Sequence, residues 1–369
     1  MMTIILLSRN TSQYLRRVLT YYKTVEFKGR IFIADSSSLE ERTQMHLIVK
    51  EFRSDLFCPI IFEYDHSTLF SDKIVHVIQK VCTTYVLLAS VDDFFSFETL
   101  REGMDFLKRH TDYAFVSGYS YGYTYQNDAE IDWYYTGDYY YPRSFFQDDS
   151  LVRINSYLEQ YTSTIHSLFR TTTLISVLQQ SALYANDPCG KFYENMVTIL
   201  ALLSGKGKFL KVPYAWREQR QSSAGNYYHE KWLLDENFEK HEQLMELGIK
   251  NALEVGLRFD SAKAAFKSKD IMQKFIEYNF NSIFPRQQKL SAKQSIKQYI
   301  PAIVWNGLKF FKNKKISIKR VQWSGEHLMY DVISPYYREF ELVKKLIKDS
   351  NIYAYRSGLD DIKIPRNRA

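Results

Sequence analysis

Short apolar runs that each end in a polar cluster recur along the first third of the chain. Thr3–Leu7 is the first, and Ser8-Arg9-Asn10 follows it. Helical spacing then takes over, with a cap candidate at Thr11 or Ser12 and Tyr14, Leu15, Val18 and Leu19 on one face. "GRIFIADSSS" repeats the grammar: a strand, Asp35, then a serine-rich loop. "CPIIFEYD" predicts a third strand, Ser71–Cys82 a helix, and "YVLLASVDD", from Tyr85 to Asp93, a fourth strand. Glu98–His110 predicts another helix and "YAFVSGYSYGYTY" a further strand. Strands alternating with helices predict a doubly wound α/β sheet, mostly parallel. In such sheets ligands sit at the carboxyl ends of the strands. Ser8–Asn10, Asp35 and Asp92–Asp93 all fall at such ends.

The pattern then loosens. Asp128–Asp149, which contains "DWYYTGDYYYPRSFFQDD", reads as irregular: either a solvated loop with aromatic anchors or a wall over a sugar site, since aromatic faces stack on sugar rings. Glu194–Ser204 predicts a helix with Glu194 in its first turn, stopped by Gly205 and Gly207. "KFLKVPYAW" predicts a return strand. Beyond about residue 225 helical spacing dominates Trp232–Phe280, as in Phe238, Leu244, Met245 and Ile249. The expected division is an α/β domain over 1–228 and a mainly helical region over 229–369.

Composition sharpens this picture. The 369 residues suit one large domain with an appendage, and 45% hydrophobic residues supply a sizeable core. The 29 Tyr and 25 Phe suggest aromatic-lined wet surfaces as well as core. The net charge of +7 is concentrated in Lys289–Arg320, which holds nine Lys and Arg and no acid. There the basic residues interleave with Ile296, Tyr299, Ile300, Trp305, Phe310 and Phe311, interrupted by Pro301 and Gly307. A solvated charged face is one reading; contact with an anionic membrane surface is the favoured one. No nucleic-acid motif accompanies it. No run is long enough to span a bilayer, and "MMTIILLSRN" is too short in its apolar part for a signal peptide. Cys58, Cys82 and Cys189 lack metal spacing and cannot all pair, which fits buried thiols in a reducing cytoplasm.

Asp92 and Asp93 carry the candidate chemistry. Adjacent carboxylates at a strand-end turn can hold Mg²⁺ or Mn²⁺, which in turn can bind a diphosphate; a polar turn or helix cap is the structural alternative. The order "TIILLSRNTSQYLRRVLTYY", "RIFIADSSS", "YVLLASVDDFF" resembles the nucleotide-binding half of GT-A glycosyltransferases, of the bacterial type that assembles surface polysaccharide. That resemblance covers some 210 residues and implies a Rossmann-like GT-A domain. It implies that Asp35 contacts the nucleoside, with Ser8, Arg9 and Asn10 lining the nucleotide, and that Asp92 and Asp93 hold metal and diphosphate. Val91 stands where the family's element often has a further Asp. "YENMVTILALLSGKGKFLKVP" keeps the family's later order, which puts Glu194 where the general base of an inverting transferase lies, with Asp187 in "NDPCG" as its rival. The family's second acid beside the base is replaced by Tyr193 or Asn195. Its His after Val-Pro is missing, with Arg217 or His229 as substitutes. His229 is a candidate for metal or diphosphate contact, whereas His166 in "TSTIHSLFR" reads as structural.

The expected function is transfer of a sugar from a nucleotide diphosphate donor to a glycan or lipid-linked acceptor, in the cytoplasm and peripherally on the membrane. A sugar-phosphate nucleotidyltransferase is disfavoured because "SRNTSQY" lacks glycine. A catalytically inactive GT-A-like scaffold is the non-enzyme alternative.

Overall fold

The structure is a computed structural model that describes residues 1–127, 130–135, 143–185, 187, 190–218, 236–283 and 334–349. His229, Cys189 and the basic segment 289–320 lie outside the described residues. So does part of the aromatic stretch 128–149.

The expected grammar is realised through the fourth strand. β1 (Met2–Ser8) leads into α1 (Ser12–Thr24), β2 (Arg30–Asp35), α2 (Leu39–Phe52), β3 (Ile60–Glu63), α3 (Phe70–Ile78) and β4 (Tyr85–Ser90). These four strands pair in parallel in the order β3-β2-β1-β4. Alternate residues of each strand feed opposite faces. Ile5, Phe32, Ala34, Val86 and Leu88 enter one buried cluster; Ile4, Leu6, Ile31, Ile33, Leu87 and Ala89 enter the other. A strand buried on both faces must be apolar throughout, which is why these strands read as unbroken apolar runs.

The second half of the sheet is mixed. After β5 (Phe94–Phe95) and α4 (Phe97–Arg109) come β6 (Tyr113–Asn127), β7 (Glu130–Tyr135), α5 (Ser150–Glu159), β8 (Leu168–Arg170), α6 (Thr171–Tyr184), α7 (Lys191–Ser204) and β9 (Lys206–Glu218). The order continues β4-β8-β6-β9-β5, with β7 on β6. β8 runs antiparallel to both β4 and β6, while β6 and β9 are parallel. The stretch expected to be irregular thus contributes a strand, because β7 pairs antiparallel with β6 from Asn127↔Glu130 to Tyr121↔Tyr135. α2, β5, α5, β8 and α6 have no counterpart in the sequence expectations.

Three further helices complete the described chain: α8 (Phe238–Leu257), α9 (Ser261–Ile283) and α10 (Pro335–Asp349). α8 and α9 add Met245, Ile249, Leu253, Met272 and Phe275 to the same buried cluster as Ile5 and Phe32. α10 covers the opposite face, where Phe340 stacks on Trp216 with ring centroids 6.4 Å apart. Among the described residues no helix is long and apolar enough to cross a membrane. The expectation of buried thiols fails for Cys58 and Cys82, which are both exposed and free. Each sits just outside a core element, beside Phe57 and Val81 respectively, and it is those neighbours that are buried.

Candidate functional site

Strand register gathers the polar clusters. Ser8 pairs with Asp35 across β1 and β2, and Leu7 pairs with Ser90 across β1 and β4. The chain ends of three adjacent parallel strands therefore open onto one rim.

At the β1–β2 end, Asp35 is fully buried, and its Oδ1 accepts from the Ser37 amide and hydroxyl. Its Oδ2 is also buried and has no hydrogen-bond partner; the nearest cation is Arg42, with Nε at 3.9 Å. Such an atom is costly to leave bare and suits a ligand donor. Asn10 adopts a left-handed φ of 54°, which Asn tolerates, and ties the loops together. Its amide donates to Ser37 Oγ at 2.7 Å, and its Oδ1 accepts from the Ser38 amide at 2.9 Å. Ser8 is buried with its Oγ 3.0 Å from Thr11 Oγ1. Arg9 is exposed at the edge of this group, bonded to His66 Nε2 at 2.8 Å. Lys73 had no place in the sequence reading. It is buried, and its Nζ donates to the Ser8 carbonyl at 3.1 Å and to Ser36 Oγ at 3.0 Å. Burial pushes its pKa down to about 8, against the pull of Asp35 and with help from Arg9.

At the β4 end, the Asp92–Asp93 turn is clamped by β9. Successive residues of a strand face opposite ways. Arg217 donates from Nε to Asp93 Oδ2 at 2.9 Å, while Glu218 accepts from Arg17 Nη2 at 3.2 Å. The same Arg17 nitrogen donates to the Asp92 carbonyl at 3.0 Å and to Tyr123 Oη at 3.0 Å. The Arg17–Glu218 pair is wholly buried. Asp92 Oδ1 accepts from the Ser90 hydroxyl. Arg217 was expected as a stand-in for a missing histidine, and the structure brings it directly onto Asp93.

Across the cleft, Glu194 stands in the first turn of α7, half-buried, with Oε1 accepting from the hydroxyls of Tyr161 and of Ser163 at 2.8 Å. Burial presses its pKa upward, but Lys191 and the two hydroxyls outweigh that, so its carboxyl titrates below the usual Glu range and is ionised at neutral pH. Asp187 has a different setting. Its two oxygens accept from the amides of Lys191 at 2.8 Å and Tyr193 at 2.9 Å, closing the start of α7. Tyr193 and Asn195 flank Glu194 but face away from it into packing: Tyr193 is 1% exposed and Asn195 Oδ1 accepts from the Tyr157 hydroxyl.

His166, read from sequence as structural, lines the same cleft as Arg217 and Ser163. Its pKa is pushed down to about 4 by burial first and by Arg217 second, with Glu194 and Asp92 pulling the other way. The ring therefore links the Asp92–Asp93 turn to the Glu194 side of the site. No short motif marked it; only the pairing of β8 with β4 brings it there.

A divalent cation would find two neighbouring carboxylates, Asp92 and Asp93. No group of three or more His, Cys, Asp or Glu is gathered among the described residues. That donor set fits a cation which draws its remaining oxygens from phosphates and water, as Mg²⁺ commonly does.

No protein-family model matches this chain, and no curated protein does. Solved structures do. The S. aureus TarS 1–349 structure in complex with UDP-GlcNAc superposes with a TM-score of 0.56 and 16% identity, over 97% of this chain and 92% of that one. Another TarS 1–349 structure gives 0.54 and 13%, over 97% and 91%. A longer TarS chain gives 0.51 and 16%, over 82% of this chain and 50% of that one. The chain has the GT-A fold.

Proposed function

We propose that the protein is a glycosyltransferase that moves a sugar from a nucleoside diphosphate to a hydroxyl acceptor. The observation that carries this reading is the convergence of Asp35, Asp92 and Asp93 on one rim, together with the ionised Glu194 of α7. The UDP-GlcNAc complex of the structurally similar TarS supports a nucleotide sugar as donor. Asp35, Ser8 and Asn10 hold the nucleoside side, with Arg9 at its edge. Arg217 places a guanidinium beside the turn where a diphosphate would leave. Asp92 and Asp93 would hold Mn²⁺ or Mg²⁺, which when bound offsets charge on the departing diphosphate.

Glu194 is the general base. Its carboxyl is ionised at neutral pH and so can accept the acceptor hydroxyl's proton, and one base on the acceptor side gives inversion. Tyr161 and Ser163 fix the carboxylate's orientation. Asp187 is assigned to the helix start. The acceptor is a glycan or lipid-linked glycan of the surface-polysaccharide kind. Residues 229–369 would contact the acceptor, with 289–320 on an anionic membrane surface and His229 as a further metal or diphosphate contact.

Thermal stabilisation by a panel of nucleoside diphosphates and their sugars, with and without Mn²⁺, tests the reading. One nucleotide at a hundred times its Kd should stabilise by about 2.7 kcal/mol. The gain should shrink in Asp93→Asn. No stabilisation by any nucleotide would sink the transferase reading and favour the inactive scaffold.

A further inference from the structure

The cleft behind Asp93 and Arg217 has a chemical character of its own. Its lining includes Phe95, Ser163, His166, Ser167, Tyr214 and Arg217. Arg217 directs its charge at Asp93. Apart from Arg217, the lining is hydroxyls, one imidazole and aromatic rings, a surface that suits a neutral polyhydroxylated ligand.

His166 is held so that only one of its nitrogens faces such a ligand. Nδ1 lies 2.9 Å from the Leu88 carbonyl, and a carbonyl only accepts, so Nδ1 carries the hydrogen. The backbone fixes the ring from the other side too, since the His166 carbonyl accepts from Tyr214 Oη at 2.7 Å and the ring leans on Phe95. The low pKa keeps the imidazole neutral in the working range. Nε2 is then a lone-pair acceptor. Next to it, Ser167 is 1% exposed, and its Oγ has no hydrogen-bond partner in the protein. A buried hydroxyl without a partner is uncommon and calls for one supplied from outside.

We propose that His166 and Ser167 form a subsite that reads one hydroxyl of an uncharged sugar ring, which donates to His166 Nε2. This rests on the glycosyltransferase reading above. The shared chemistry, a neutral sugar hydroxyl, has two sources: the donor's sugar or the acceptor glycan.

The test uses the full chain as wild type, His166→Phe and His166→Gln. In the donor arm, calorimetry measures UDP, GDP and dTDP, each alone and as its glucose conjugate. In the acceptor arm, transfer to p-nitrophenyl glycosides gives KM and kcat. If the site reads the donor sugar, His166→Phe loses about tenfold of the affinity gained from the glucose while the bare nucleotide binds unchanged. If it reads the acceptor, the donor affinities hold and the acceptor KM rises about tenfold, with kcat changed much less. In either case His166→Gln, which keeps an acceptor atom, stays within about threefold of wild type and shows that the loss is not one of folding. No change in either arm overturns the subsite. A wild type that binds none of the nucleotides overturns the transferase reading and the subsite together.

Discussion

Asp35 and Glu194 both belong to the candidate site and take their places in it by different means. Asp35 ends a parallel strand; register with Ser8 fixes its place, and its partners lie within two residues or on the adjoining α2. Glu194 sits on a helix, and the hydroxyls that orient it come from the loop between α5 and β8. The Asp35 side of the site is therefore set mainly by backbone pairing, and the Glu194 side by side chains from distant parts of the chain. Donor binding and transfer should accordingly fail separately.

The largest effect should come from Glu194→Gln. Loss of a positioned general base costs about 10²–10⁴-fold in turnover. The stabilisation given by the nucleotide should be unchanged, because the nucleotide is proposed to rest on Asp35 and the Asp92–Asp93 turn rather than on Glu194. A variant that loses nucleotide binding along with turnover would show that the two sides act as one.

The seam between the two sides is the next place to break. Arg17 and Glu218 are paired in complete burial, and Arg17 also donates to the Asp92 carbonyl. Arg17→Met leaves Glu218 buried without its cation and should cost about 3–5 kcal/mol in urea unfolding. Arg17→Met combined with Glu218→Leu should recover most of that, since paired removal of a buried ion pair is often neutral. The double variant should still lose nucleotide affinity, because the Asp92 carbonyl loses its Arg17 donor. Full recovery of both properties would reduce the pair to packing.

This difference also explains what the sequence made legible. Thr3–Leu7, "RIFIAD" and "YVLLASVDD" announced themselves because strands buried on both faces are unbroken apolar runs, and each ran into a polar residue at the rim. The helix at Glu98–His110 was within a residue of Phe97–Arg109, and Ser96 supplies its cap by accepting from the Thr99 amide. α2 was hidden because its start, "SSSLEERTQ", looks like loop, and its buried side is only Met45, Ile48, Val49 and Phe52. β8 is three residues long, too short to carry a period, yet it carries the chain that delivers His166. Lys73 looked like an ordinary polar position on α3; only the fold turns its amine inward to the Ser8 carbonyl. Pairings such as Arg17 with Glu218 span two hundred residues of sequence, and no local pattern records them.

Lys73 sharpens the comparison on the nucleotide side through pH. Its pKa is lowered to about 8 from 10.5 by burial, so the unfolded chain holds that proton more tightly than the folded one. The sign follows: stability relative to a neutral side chain is complete above pH 10.5 and is lost as pH falls through about 8. The difference in unfolding free energy between wild type and Lys73→Met should therefore move by about 2–3 kcal/mol in favour of wild type between pH 7.5 and 10.5. Comparison with the variant removes the shared titration of the tyrosines. A flat difference would mean that the amine is solvated and does not brace the Ser8 loop.

The smallest effect is the most discriminating for the base. Asp187 and Glu194 belong to the same helix start, and from sequence either could take the acceptor's proton. In the fold Asp187 gives both oxygens to the amides of Lys191 and Tyr193, which ties its carboxylate to the helix start. Asp187→Ala should then behave as the loss of a cap, costing about 1 kcal/mol of stability. Turnover should stay within about threefold once the folded fraction is allowed for, against the 10²-fold or more lost by Glu194→Gln. The alternative is equally plain in the assay. If Asp187→Ala abolished transfer in a folded, nucleotide-binding protein while Glu194→Gln kept it, the proton would leave by way of the helix start. The Tyr161–Ser163–Glu194 group would then hold the substrate without taking its proton.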